Sequence, residues 1–351
     1  MDNPSIDTNT TVGTDATLPG HRHTLALPGG GYAALVHLTQ PAYQTSAASA
    51  TPLLVVHSVN ATASAFEMEP VFTRQARQRP VIALDLPGFG ASAKPDQAYS
   101  PRVMQQAVVA AIDWIDRHVA PGPIDVMALS LGCEFAAEAV LQRPGRVRTL
   151  TLISPTGMEG RRIGERYKGG QTRERAWLRR LLRETRIGHR LYRLLTKPTS
   201  MRWFLSRSWG TQKFDPRLLE HGQRCAALPG AEYAPLDFVA GALFTHGIVE
   251  RYRALPVPLW VAHGTDGAFT DFGACPESSG SAAAGATFKV ERTAFETGAM
   301  PHFQLPDAFN AAYERFLGRR GVPAPMPRPR SAGMVDSLVG RLGVEPSTNG
   351  L

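Results

Sequence analysis

The sequence predicts an α/β protein: a mostly parallel sheet flanked by helices and interrupted late by a helical insertion. Three observations carry this. Short apolar runs alternate with stretches of helical spacing between residues 53 and 154. The segment 157–246 then keeps helical spacing and shows no strand pattern. Strand-like runs resume at Val257 and are followed by one closing helix.

In chain order, residues 1–19 are rich in Thr, Asp and Asn and read as a disordered tail. His23–Leu27 and Tyr32–Leu38 alternate around Pro28-Gly29-Gly30-Gly31, the pattern of a β-hairpin. Leu53–His57 is a short apolar strand, and Ala65–Arg79 is helical, with Pro70 disturbing its first part. Val81–Leu86 is a strand ending at Pro87-Gly88-Phe89-Gly90. Val103–Val119 repeats apolar residues at Val108, Ile112, Ile115 and Val119, as a helix does. Ile124–Leu129 and Val147–Ser154 are strands, separated by the helix-forming run after Cys133. Arg173–Leu195 is one basic amphipathic helical stretch. Val257–His263 and Thr287–Arg292 complete the sheet, and Phe303–Leu317 is the closing helix. The expected division is a core of 20–156 and 247–318, a helical cap of 157–246, and a Pro- and Arg-rich tail of 319–351. That tail is expected to hold one short helix near Met334–Leu342.

Composition bounds the function. The chain has 351 residues, 43% hydrophobic and 19% charged, enough for one large domain with a sizeable core. No apolar run reaches the length of a membrane span, and the polar, acidic start does not resemble a secretory signal. Cys133, Cys225 and Cys275 are far apart and odd in number, which suggests neither a disulfide framework nor a metal site and fits a reducing cytoplasm. The net charge of +8 is concentrated: from Met158 to Cys225, 18 Lys and Arg face 6 Asp and Glu. No nucleic-acid motif or stacking platform accompanies that charge, so no nucleic-acid partner is expected. An arginine-rich solvated helix face, or contact with an anionic membrane surface, accounts for it instead.

The most informative stretch is Val126-Met127-Ala128-Leu129-Ser130-Leu131-Gly132-Cys133. A strand runs into a tight turn with a serine at its tip and a helix directly behind. Ala128 and Gly132 supply the small neighbours that a sharply bent, crowded backbone needs. This resembles the G-x-S-x-G nucleophile elbow of α/β-hydrolases, with alanine in place of the first glycine. Three further segments resemble that family in the right order. His57-Ser58 stands where the family usually carries His-Gly in its oxyanion loop. Asp85-Leu86-Pro87-Gly88-Phe89-Gly90-Ala91-Ser92 matches its D-x-P-G-x-G-x-S loop, the most specific of the four. Met300-Pro301-His302-Phe303 precedes the closing helix, where the family's histidine sits.

The resemblance implies a serine hydrolase with Ser130 as nucleophile, His302 as base and Asp266 as the acid that orients the imidazole. Many relatives carry the acid three residues after the strand-end glycine. Here Asp266 lies two after Gly264, and Asp271 is the alternative acid. Leu131 is expected to give one oxyanion N–H, and Ser58 or Val59 the other. Asp85 and His57 read as structural groups of their loops, and Cys133 as a small buried thiol. Serine rather than aspartate at the elbow tip points to ester, thioester or lactone cleavage. The aromatic residues of the insertion suggest a small substrate with a hydrophobic acyl or alcohol part. No cofactor and no metal are implied. Acyl transfer or C–C cleavage on the same residues, and a silent ligand-binding protein of this fold, are the other readings.

Overall fold

A computed structural model describes residues 18–39, 50–158, 174–266, 272 and 290–319. The expected tails, the helix near Met334–Leu342 and Asp271 lie outside the described residues. Among the described residues, eight strands form one sheet: β1 His21–Ala26, β2 Ala33–Leu38, β3 Leu53–Val56, β4 Val81–Asp85, β5 Ile124–Leu129, β6 Val147–Ile153, β7 Leu259–Gly264 and β8 Val290–Phe295. Their order is β1-β2-β4-β3-β5-β6-β7-β8. β1 pairs antiparallel with β2 and β2 with β4, and every later pairing is parallel. The inner strands β3, β4 and β5 are buried at every position, which is why they read as unbroken apolar runs.

Helices cover both faces. Pro101–His118 (α2) and Gly132–Gln142 (α3) pack on one, within a core that includes Val126, Phe135 and Ile112. Glu69–Gln75 (α1) and the closing helix Pro306–Gly318 lie on the other, where Trp260 stacks against Tyr313 and Phe316. The expected closing helix is two pieces, a single turn at Pro301–Gln304 and then Pro306–Gly318. Pro306 favours a non-helical residue before it, and Leu305 takes φ −127° and ψ 62°.

A polar staple holds the N-terminal end of the sheet. Asp125 is buried on β5 and receives Arg79 at 2.6 Å, Arg148 at 2.5 Å and Thr149 at 2.7 Å. Arg79 also reaches the Tyr313 hydroxyl on the closing helix at 2.9 Å. Burial alone would raise the Asp125 carboxyl; the Arg148 and Arg79 contacts outweigh it and hold it below the usual range.

Between β6 and β7 the described chain is helical: α4 Ala176–Glu184, α5 Arg186–Leu195, α6 Pro198–Trp209, α7 Pro216–Ala226, α8 Tyr233–Val239 and α9 Ile248–Arg253. The single basic helix expected over Arg173–Leu195 is broken at Thr185, which is extended at φ −128° and ψ 161°. Its hydroxyl accepts the Ile187 N–H and so starts α5 afresh. Asp237 on α8 fastens this cap to the core. It is fully buried and accepts the Tyr99 N–H at 2.8 Å and Arg179 Nε at 2.9 Å.

Candidate active site

Strand register sets the site. Val56 of β3 pairs with Ala128 of β5, so Ser58 and Ser130 each stand two residues beyond a paired position at the same sheet end. Ser130 has φ 53°, in the left-handed region that costs a side-chain residue about 1–2 kcal/mol. The strain is held by its neighbours. The Ser130 N–H donates to the Ile153 carbonyl at 2.8 Å, and its carbonyl accepts the Cys133 N–H at 3.0 Å. Gly132 is required by close approach: a Cβ there would lie 2.2 Å from the His57 carbonyl oxygen. That contact presses the start of α3 against the loop after β3. Ser130 is half-buried, and its Oγ has no hydrogen-bond partner among the described residues. Cys133 is inert beside it, its thiol fully buried, pushed up by burial and directed at the Ala128 carbonyl.

The loop after β3 is a polar network with Glu67 at its centre. Glu67 Oε2 accepts the Ser58 N–H at 2.9 Å, and Oε1 accepts Asn60 Nδ2 at 2.7 Å. Asn60 Nδ2 also reaches Ser58 Oγ at 3.1 Å, while Asn60 Oδ1 accepts the Thr62 N–H at 2.8 Å. The Ser58 N–H, one of the expected oxyanion donors, is therefore engaged within the protein. The N–H groups of Val59 and Leu131 have no acceptor among the described residues. Leu131 also caps the N-terminus of α3, where the helix dipole adds partial positive charge. His57 accepts the Leu86 N–H on Nε2 at 3.0 Å, so its proton is on Nδ1, which donates to the Ser58 carbonyl. It is a brace, as is Asp85. The Asp85 carboxylate accepts the Ala65 and Ala91 N–H groups and bonds His37, and a Cβ on Gly90 would collide with it at 1.9 Å. Burial alone would raise the Asp85 carboxyl; the His37 contact and the Ala65 N–H outweigh it and hold it far below the ordinary range.

His302 is fully buried on the turn Pro301–Gln304, edge-on to Phe309. Its Nε2 lies 2.8 Å from the Glu67 main-chain carbonyl, so Nε2 carries the proton. Nδ1 keeps a lone pair and has no hydrogen-bond partner among the described residues. Burial drives the imidazole down to about 4, only partly offset by the Glu67 bond, and no charged side chain among the described residues contributes. Asp266 does not touch it. The Asp266 side chain is exposed and accepts the Thr265 hydroxyl at 3.1 Å, and its N–H donates to the Thr297 carbonyl at 2.9 Å. The strap after β8 passes the end of β6 at Ala299, whose carbonyl accepts Ser154 Oγ at 2.8 Å, three residues before His302. The sequence-predicted residues thus fall into two groups. Ser130, Leu131, Ser58 and Val59 converge through strand register, while no hydrogen bond joins Ser130, His302 and Asp266. Glu67 and Asn60, which link the loop after β3 to His302, were not singled out from the sequence. Their only signal was the alternation of polar Ser58, Asn60, Thr62 and Ser64 with small or apolar residues, with a glutamate shortly after.

The cap covers the same loop. Phe66 stacks on His221 of α7 at 4.6 Å, and the Tyr192 hydroxyl of α5 donates to the Ala61 carbonyl. Two open clefts, of about 450 and 380 Å³, lie elsewhere. One is lined by Arg74, Arg217 and Phe303 and the other by Arg102, Glu138 and His246, and neither contains Ser130. Among the described residues no group of His, Cys, Asp and Glu is placed to hold a metal ion.

Strand order, elbow and loops define the class, and comparison with known proteins agrees. Residues 53–312 match the alpha/beta hydrolase family, and the chain belongs to it. No curated protein sequence matches the chain. A probable hydrolytic enzyme from Pseudomonas aeruginosa has a similar structure, with TM-score 0.63 and 21% identity over 87% of this chain and 96% of that one. The 2-hydroxy-6-oxo-6-phenylhexa-2,4-dienoate hydrolase of Rhodococcus gives 0.59 at 15% identity, covering 85% of this chain and 99% of that one. An esterase from Exiguobacterium antarcticum gives 0.59 at 14% identity, covering 84% and 98%. At such identities the likeness is one of fold.

Proposed function

We propose that the chain is a serine hydrolase that cleaves a carboxylic ester, thioester or lactone with a hydrophobic acyl or alcohol part. The observation that carries this is Ser130, held at positive φ on the strand-to-helix turn with a free Oγ and with the unoccupied Leu131 N–H beside it. In this reading Ser130 Oγ attacks the carbonyl carbon, and the oxyanion is received by the Leu131 and Val59 N–H groups. The serine proton passes to the Nδ1 lone pair of His302 and then to the leaving alcohol. Water, deprotonated by the same imidazole, releases the acid from the acyl-enzyme. His302 reaches Ser130 through rearrangement of the strap or the ring, because the two are not bonded at rest. The Glu67 carbonyl, in place of Asp266, fixes the imidazole tautomer.

A panel of p-nitrophenyl esters of short to medium acyl length tests the reading. Turnover that vanishes in Ser130→Ala supports it; absence of turnover together with no fluorophosphonate adduct on Ser130 overturns it. Addition of alcohol or amine acceptors separates hydrolysis from acyl transfer, since transfer diverts product from the free acid. The second reading is a protein that binds its ligand without turnover, favoured by the sequestered, weakly basic His302. It predicts saturable binding that survives Ser130→Ala and leaves no covalent adduct.

A further inference from the structure

The cap exposes large apolar side chains that its own packing does not use. Its inward contacts are made by Leu182 and Tyr192, with Leu178 and Leu191 against Leu236 and Ala240. Outside that seam, Trp177 is 66% exposed on α4, Ile187 and Leu194 are 50% and 52% exposed on α5, and Trp203 is 63% exposed on α6. Ile187 and Leu194 are seven residues apart and share one side of α5. Exposed apolar residues scattered singly need no explanation, but these occur on three consecutive helices.

The charge around them is predominantly positive. Arg180, Arg186, Arg190, Arg193, Arg202 and Arg207 are exposed on these helices, and Glu184 is the exposed acid among them. Arg207 stacks over the Trp203 ring at 5.2 Å, four residues along α6, so aromatic and cation lie on one face. The arginines that anchor the cap are different residues: Arg179 is bound to Asp237 and Arg183 to Asp96. No described helix is long and apolar enough to cross a membrane. Tryptophan and leucine set among arginines that form no ion pair among the described residues, on short amphipathic helices, suit the headgroup region of an anionic bilayer. There apolar rings sink to the acyl boundary and guanidinium groups meet phosphate.

We propose that helices α4 to α6 form a docking surface for an anionic lipid bilayer, placing the cap at the membrane. The surface is independent of the chemistry at Ser130, and its test does not use activity.

The full-length protein is mixed with vesicles of phosphatidylcholine alone and of phosphatidylcholine with phosphatidylglycerol, and sedimented. Trp114, Trp209 and Trp260 are buried, so a shift in tryptophan emission on binding reports Trp177 and Trp203. The expected result is pelleting with anionic vesicles only, a blue-shifted emission, and release by high salt. The double variant Trp177→Ser/Trp203→Ser and the charge variant Arg190→Glu/Arg193→Glu should each bind at least about tenfold more weakly, because all four residues are exposed. Circular dichroism confirms that the variants are folded. Absence of pelleting on anionic vesicles at low salt overturns the proposal, as does binding unchanged in the tryptophan variant. Self-association or nucleic-acid binding that is lost in these variants, without vesicle binding, assigns the surface to another partner and also overturns it.

Discussion

The two halves of the site are built by different means. On the Ser130 side, backbone hydrogen bonds and strand register hold Ser130, Leu131 and the loop after β3, and Gly132 sets their contact. On the His302 side, the imidazole sits in an apolar setting, fastened to a main-chain carbonyl, while Asp266 faces solvent. A strand-to-helix turn is a short-range feature fixed by a few local residues. A base and its acid must be brought together by two separate loops, so sheet order alone does not join them.

The comparison breaks or sharpens in a definite order. The largest effect is expected from Ser130→Ala, which should lower ester turnover by roughly a thousandfold or more and abolish fluorophosphonate labelling. At the opposite end of the sheet, Arg79→Ala strips one partner from buried Asp125 and should cost about 3 kcal/mol in denaturant unfolding. It should leave the Ser130 labelling rate unchanged. His302 predicts a comparable effect on pH dependence. Its folded value of about 4 lies below the ordinary 6.5, so the unfolded chain binds the proton first. Stability should therefore be intact above about pH 6.5 and fall as pH drops toward 4, by about 3 kcal/mol for this group alone. His302→Gln should flatten that slope.

The smallest effect separates the two ways of orienting the imidazole. If the Glu67 carbonyl holds His302, Asp266→Asn should change kcat/KM by less than about threefold, whereas loss of a true triad acid costs about 10⁴. Glu67→Gln keeps the carbonyl but replaces one acceptor oxygen with a donor facing Asn60. It should loosen the oxyanion loop and lower kcat by about tenfold or more. Nitrogen NMR of the imidazole gives a readout independent of turnover, and His302 should stay in the Nε2–H tautomer in Asp266→Asn.

The legible parts of the molecule were those with local causes. The buried strands announce themselves as apolar runs, the elbow as small residues around Ser130, and the Asp85 loop as glycines and a proline at fixed offsets. The break at Thr185 was hidden because apolar spacing continues across it, although Thr185 itself is a good N-cap. The role of Glu67 was hidden for a stronger reason. One residue meets Ser58 through its side chain and His302 through its backbone, from a strap 235 residues away, and backbone acceptors leave no mark in a sequence. Position before the closing helix singled out His302, but which of its nitrogens is free depends on that distant carbonyl.

Everything proposed for the chemistry turns on the nucleophile. Wild-type protein treated with a fluorophosphonate, digested and mapped by mass spectrometry should carry the adduct on the peptide containing Ser130, with none in Ser130→Ala. An unmodified Ser130 peptide under conditions that label a known serine esterase would contradict the assignment.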